Sequence, residues 1–423
     1  MKPNIFSTKM IVTLLSFAFS IFSFAQEPMK VHIIDVGQGS AALVEFSCGV
    51  ILVDNGGEKN DLFDSTTKMD DYLTEFFTRR SDLNNTIDLL VLSHPHRDHT
   101  TSTKAIGERY RILNVLTNGQ ESGSGRYGQI YIHKKIADAE GTATTDDDIG
   151  YWECRTSSIP NGGITNSIID PINCSIGNPT IKVLWGYVPI DPGWGQTAYN
   201  EPNNHSIVLR IDYGQSSILF TGDLEEKAID ELLGKYTGSS ILDTDVYVVG
   251  HHGSKNGTTP ELINAISPEM AVLSFGNPIR ELSWTAWAYG HPNKSIIEML
   301  EMGVSATRHA KEVWVGDGAK NFNTTIMSKA IYGTGWDGDI VLEGTFSGHW
   351  TVQGEEAVDS SLINVNTADA AALASLPSIG SVKAQAIIDY RTAHGNFSRV
   401  EDLDNVTGIG PATIARIRDF VTF

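Results

Sequence analysis

The chain has 423 residues, is 41% hydrophobic and 19% charged, and carries a formal charge of −20. Those values describe an ordinary soluble globular protein with room for two or three domains. They exclude a broadly basic nucleic-acid binder, because bulk electrostatics would repel phosphate.

The first 25 residues differ from the rest. Lys2 and Lys9 precede an apolar run over 10–24, and Ser23-Phe24-Ala25 offers small residues where a signal peptidase reads. The run is short for a membrane span and ends in a cleavage site. Residues 1–25 are therefore read as an export signal, with the periplasm or the medium as destination and no stable membrane insertion after its removal.

From residue 26 to 352 one device recurs: a short apolar strand that ends in a polar or glycine turn. Strand-like runs at 31–36, 51–53, 87–92, 207–211, 218–220 and 246–249 lead into such turns, and helical patterns occupy 62–77 and 225–233. Strands that repeatedly deliver polar side chains at one end predict a layered α/β domain with its site along a sheet edge. Residues 119–206 are expected to be an inserted, loop-rich segment, and Asp146-Asp147-Asp148 a solvated loop. Strands over 339–342 and 349–352 close the domain, and 353–360 is the predicted linker. Of the three cysteines, Cys48 reads as a small buried hydrophobe, whereas Cys154 and Cys174 flank a Gly/Ser/Asn-rich stretch and are candidates to pair after export, a bridge that sequence alone does not establish.

Residues 94–99 read His-Pro-His-Arg-Asp-His, directly after a strand-like run. Three imidazoles and a carboxylate so close together suit zinc or a similar borderline metal. Alternation along an extended loop aims His94 and His96 at one point, and Asp98 and His99 at a second. Asp223, at another strand end, is the natural bridging carboxylate. One of His251 and His252 is expected to close the second group, and His205 to be the third ligand of the first. Two divalent ions, Zn or Mn, about 3.5–4 Å apart can hold a hydroxide between them and stabilise entering and leaving oxygens. Neither a GxSxG elbow nor a Walker loop occurs, so serine-hydrolase and NTPase readings have no support.

The set Asp54, His94-x-His96-x-Asp98-His99, His205, Asp223 and His251-His252 resembles the metallo-β-lactamase superfamily, an αββα sandwich of metal-dependent hydrolases. Asp35-Val36-Gly37-Gln38-Gly39-Ser40, Asn203-Asn204-His205-Ser206, Thr221-Gly222-Asp223, His251-His252-Gly253-Ser254 and Tyr289-Gly290-His291-Pro292 narrow the resemblance to the hydrolase domain attached to the DNA-uptake channel of competent bacteria (ComEC). The resemblance implies a nuclease, with Asp98, Asp223 and His291 at the chemistry and Asp54 orienting ligands. Thr100-Thr101-Ser102 stands where glycines are usual.

After Ser361 the pattern becomes helical. Thr367 is expected to cap a helix through Ala374, with Asp369 in its first turn. Two punctuated units follow, Leu376-Pro377-Ser378-Ile379-Gly380 before a helix over 381–391 and Val406-Thr407-Gly408-Ile409-Gly410 before one over 411–420. Pro411 stands where a first helical residue tolerates proline. Residues 361–423 are similar to the DNA-binding domain of the competence receptor (ComEA), a small all-α tandem helix-hairpin-helix, although Ser378 replaces the usual glycine. The resemblance implies sequence-independent binding of DNA phosphates. Gly380, Ser381, Lys383, Gly408, Gly410 and Thr413 are the candidate contacts, with Arg416 and Arg418 adding charge. The leading expectation is an exported two-metal nuclease. The alternatives are a small-molecule esterase, such as a phosphocholine esterase or lactonase, and a non-catalytic DNA-uptake binding protein.

Overall fold

The structure is a computed structural model that describes residues 26–140, 148–355, 362–374, 376 and 379–423. The segment 1–25, Asp146, Asp147, most of the predicted linker and Ser378 lie outside the described residues. Asp148 is exposed.

Two sheets form the centre of the larger unit. The first has eight strands in the order Gly150–Glu153, Asn114–Thr117, Leu89–Leu92, Gly49–Asn55, Ala41–Phe46, Met29–Ile33, Ile340–Gly344 and Trp350–Val352. The second has six, in the order Thr180–Trp185, Val208–Tyr213, Ser216–Phe220, Val246–Val248, Met270–Leu273 and Ile331–Gly333. The strand period of two separates the faces of the first sheet. Ile51, Val53, Leu89 and Val91 enter the core shared with the second sheet. Val50, Leu52, Leu90 and Leu92 face the other way, onto Met69, Leu73, Phe76 and Phe77 of helix Ser65–Arg79. Ala228, Ile229 and Leu232 of helix Glu226–Lys235 cover the second sheet from outside, with Ile296, Ile297 and Leu300 of helix Lys294–Gly303. The result is the four-layer αββα arrangement.

Several expectations are corrected in detail. Asp88 interrupts the run 87–92, because its carboxylate accepts the Val50 N–H at 2.8 Å and ties two strands together. The stretch 119–206 is loop-rich over 154–179 and 186–206, as expected, but it also contributes helix Arg126–Glu140 and edge strands to both sheets. Cys48 pairs with Cys174, Cα–Cα 5.4 Å apart, and Cys154 is free and buried. Cys174 is taken by Cys48, so no Cys154–Cys174 bridge forms, and Cys48 is exposed rather than the small buried hydrophobe expected of it. Glu355, placed in the linker by its sequence, is held by the Tyr332 hydroxyl at 2.6 Å and by Arg308.

The C-terminal unit has a core of its own, built on Val365, Leu373, Ile387, Phe397, Leu403 and Ile417 among others. Its helices are Ala370–Ala374, Ser381–His394 and Pro411–Ile417, followed by a 3-10 turn at Arg418–Phe420. Asp369, rather than Thr367, caps the first, accepting the Ala372 N–H at 2.8 Å. Gly380 and Gly410 are the N-caps of the other two. Lys383 reaches Thr413 at 3.5 Å, so the two hairpins adjoin.

Candidate metal centre

Strand ends of both sheets converge on one edge, where several parallel neighbours deliver their carboxyl-terminal turns together. The strand Leu89–Leu92 delivers 94–99, Ser216–Phe220 delivers Asp223, and Val246–Val248 delivers His251 and His252. His251 and His252 both have positive φ, 50° and 54°, a conformation that costs non-glycine residues energy and concentrates at functional sites. The turn at Asp54-Asn55-Gly56-Gly57 lies directly against the ligand loop. A Cβ on Gly56 would collide with the backbone of Asp98 and His99.

Asp98, His99, Asp223 and His252 form a tight group whose donor atoms all lie within 4.8 Å of one another. His99 Nε2 is 3.1 Å from Asp223 Oδ1. His252 Nε2 is 3.4 Å from Asp98 and 3.5 Å from Asp223. His94 Nε2 approaches Asp223 Oδ2 at 4.0 Å, and His96 Nε2 faces Glu201 Oε1 at 3.5 Å. The Nε2 atoms of His94, His99 and His252 are buried without a hydrogen-bond partner. A cluster of orphaned imidazole nitrogens facing carboxylate oxygens is what a bound cation requires, so the residues fit a metal.

Each Nε2 is aimed by what holds the opposite nitrogen. Asp54 accepts from His99 Nδ1 at 2.7 Å and from the Ser93 N–H and hydroxyl, both at 2.8 Å. His252 Nδ1 donates to the Ser274 carbonyl at 2.8 Å. Ser93 and Ser206 hydroxyls lie 3.1 and 3.2 Å from His94 Nδ1. The Asp54 carboxylate and the Ser274 carbonyl require the proton on Nδ1 of His99 and His252, so Nε2 is the nitrogen that a metal would take; the hydroxyls at His94 suit either tautomer. Burial, reinforced by His99 and His96, holds the His94 pKa well below its ordinary value. Burial opposes charge on His252 too, but Asp223 and Asp98 outweigh it and raise its pKa to about 10. Burial would raise the Asp98 carboxyl, yet the neighbouring imidazoles of His252 and His99 bring it down.

His205, the expected third ligand of the first ion, stands outside this group. Its Nδ1 accepts the Val188 N–H at 3.1 Å and its Nε2 donates to the Tyr199 carbonyl at 2.7 Å, so both nitrogens are committed to backbone. Its ring is packed among Tyr187, Trp194 and Tyr199. Of the histidine pair, His252 joins the tight group, while His251 Nε2 stands 3.9 Å from Asp223.

The centre opens into a cavity of about 560 Å³ lined by Lys59, Arg97, Glu201, Asn203, Glu225, Trp284, Tyr289 and His291, besides ligand residues. Gln38 Nε2 lies 3.1 Å from His291 Nδ1, which makes Nδ1 an acceptor and places the ring proton on Nε2. Burial, with the neighbouring His252 and His251, pushes the His291 pKa down to about 3, so this ring is a neutral donor. Rings run in series outward from the centre: His252 stacks on His291, His291 on Tyr289, and Tyr289 meets the exposed Trp284 edge-on. Glu201, Glu225 and Trp284 carried no motif; a Glu before proline or at a helix start reads as ordinary.

Residues 176–276 match the metallo-beta-lactamase superfamily, and residues 358–422 match the helix-hairpin-helix motif. The layers, the strand-end site and these matches define a metallo-β-lactamase αββα fold followed by a helix-hairpin-helix unit. The chain is similar to Recombination protein 2 of Haemophilus influenzae, 25% identical over 309 residues, 73% of this chain and 31% of that protein. It is also similar to Competence protein ComA of Neisseria gonorrhoeae, 41% identical over 96 residues, 23% of this chain and 12% of that protein. ComE operon protein 1 of Bacillus subtilis is 39% identical over 61 residues, 14% of this chain and 30% of that protein. The chain thus spans less than a third of the length of each of these relatives.

Proposed function

We propose that the chain is an exported, two-metal phosphodiesterase that cleaves DNA, brought to its polymer by the C-terminal hairpins. The observation that carries this reading is the pairing, in one chain, of an orphaned His/Asp centre with a helix-hairpin-helix unit. Bound divalent ions would supply Lewis acidity toward the phosphoryl group and lower the pKa of water. His94, His96, Asp98, His99, Asp223 and His252 would hold them. Asp54, Ser274 and the Ser93 and Ser206 hydroxyls keep the imidazoles aimed. Lys59 and Arg97 on the cavity wall suit phosphate oxygens, and His291 offers a neutral N–H to the same region. Tyr289 and Trp284 offer faces on which a base can stack.

In the C-terminal unit, a Cβ at Gly380 or Gly410 would meet nothing within 4 Å. A phosphate backbone could therefore approach both hairpins closely, as sequence-independent binding requires. The Cys48–Cys174 bridge suits an oxidising compartment, in keeping with export. No helix among the described residues is long and apolar enough to cross a membrane.

The reading is tested by incubating the purified chain with plasmid, linear duplex and single-stranded DNA in Mn²⁺ or Zn²⁺. Wild-type protein should cleave, and His252→Ala should not. Equal cleavage by the variant would place the chemistry elsewhere.

A further inference from the structure

The first metal position lacks the ligand its sequence had suggested. His205 has spent both nitrogens on backbone, yet His94 Nε2 remains buried, unpartnered and 4.0 Å from Asp223. An ion bound by His94, His96 and the shared Asp223 would have room for a further protein donor beside the water position that a catalytic site keeps open.

We propose that Glu201 is that donor, so that the first ion is held by His94, His96, Glu201 and the shared Asp223. The inference rests on the two-ion reading of the centre. Glu201 Oε1 already faces His96 Nε2 at 3.5 Å, a separation that two ligands of one ion can adopt. Both side chains reach the cavity and are partly exposed, 23% for His96 and 36% for Glu201, and Glu201 Oε1 also accepts the Asn203 N–H at 3.5 Å as the cap of the turn that follows. The backbone beneath Glu201 is fixed: it precedes the 3-10 turn Pro202–His205, and that turn is pinned where His205 is locked. The commitment of His205 to backbone therefore positions Glu201 instead of competing with it. Asn203 beside it is anchored too, donating to Glu225 at 3.0 Å while its own Oδ1 stays buried without a partner.

Replacing an expected imidazole by a carboxylate changes the chemistry of the first position. Two nitrogens and two carboxylates make a harder donor set than three nitrogens and one carboxylate, which moves relative preference from Zn²⁺ toward Mn²⁺. The bland alternative is a plain ion pair between His96 and Glu201, and it makes different predictions.

The test is metal stoichiometry of the purified full chain, stripped by chelator, reloaded with Zn²⁺ or Mn²⁺ and measured by elemental analysis and competition with a chromophoric chelator. Wild type should hold two ions. Glu201→Gln should hold one tightly and the other at least about 10-fold more weakly. Glu201→His should recover the second ion, which separates loss of a ligand from loss of the fold. If Glu201→Gln keeps both ions at wild-type affinity, the assignment is overturned. Wild-type protein that takes up only one ion, or none, refutes the two-ion reading itself, and the assignment falls with it.

Discussion

Asp54 makes no contact with the cavity, yet it controls a ligand. Its carboxylate holds His99 Nδ1 and both donors of Ser93, at a backbone φ of 55° that only its position in the glycine turn sustains. Asp54→Ala should release the His99 ring and lower metal affinity about 10- to 100-fold. Chelator competition measures this, and unchanged affinity would mean that His99 is aimed by something else. The 94–99 cluster was legible in the sequence because its donors are contiguous and a strand end needs no tertiary knowledge to place them. Asp223 and His252 were legible as strand-end groups. The backbone bonds of His205 to Val188 and Tyr199 were not legible, because only folding brings those groups to it. Glu201 was missed for the converse reason, since its relation to His96 spans 105 positions of chain.

At the scale of elements, the first sheet buries a charge on its helix-facing side. Glu45 receives Arg79, Arg80 and His32, with its side chain only 7% exposed. Burial alone would raise its carboxyl, but these partners bring it far below the ordinary value of 4.5. Glu45→Gln should cost about 3 kcal/mol in urea unfolding at neutral pH, since two guanidinium groups lose their counter-charge. Because the folded carboxyl titrates below the unfolded one, the wild-type contribution is complete above pH 4.5 and fades as pH falls toward the folded value. A variant whose stability tracks wild type from pH 7 to pH 3 would contradict this account.

The Cys48–Cys174 bridge closes 126 residues of chain and ties the hairpin after Ala41–Phe46 to the segment leading into the second sheet. Cys174→Ser should lower stability by about 3 kcal/mol. Cys154, whose thiol burial pushes up to about 12, should stay unreactive to thiol reagents until unfolding. Rapid labelling of the folded protein at Cys154 would contradict its place in the core. Helix Arg126–Glu140 escaped the sequence reading because its buried apolar side chains among the described residues reduce to Ile132 and Ile136, one turn apart, beside the buried Gln129 and polar and glycine neighbours. The strands were legible since their alternation or continuity survives any packing partner. Their pairing order was not, because register depends on the turns and on the opposing sheet.

At the scale of the whole molecule, the acidic surface makes a dedicated DNA-binding unit necessary if DNA is the substrate. Gly410 sits at φ −127° with open space where a Cβ would stand, so Gly410→Val is tolerated by the fold and tests only how closely a phosphate can come. The variant should bind duplex DNA more weakly while hydrolysing a small phosphodiester at the wild-type rate. Deletion of residues 361–423 should go further and flatten the salt dependence of binding. Undiminished binding by both would assign the hairpins to another partner.

The central claim is that metal at the strand-end centre performs the cleavage of DNA. It is tested most directly by following DNA cleavage while stripped wild-type protein is titrated with Mn²⁺ or Zn²⁺. The account predicts no cleavage without metal and a rate that climbs until two ions are bound per chain, then levels. Cleavage that persists in stripped protein, or DNA left intact at every metal loading, would contradict it.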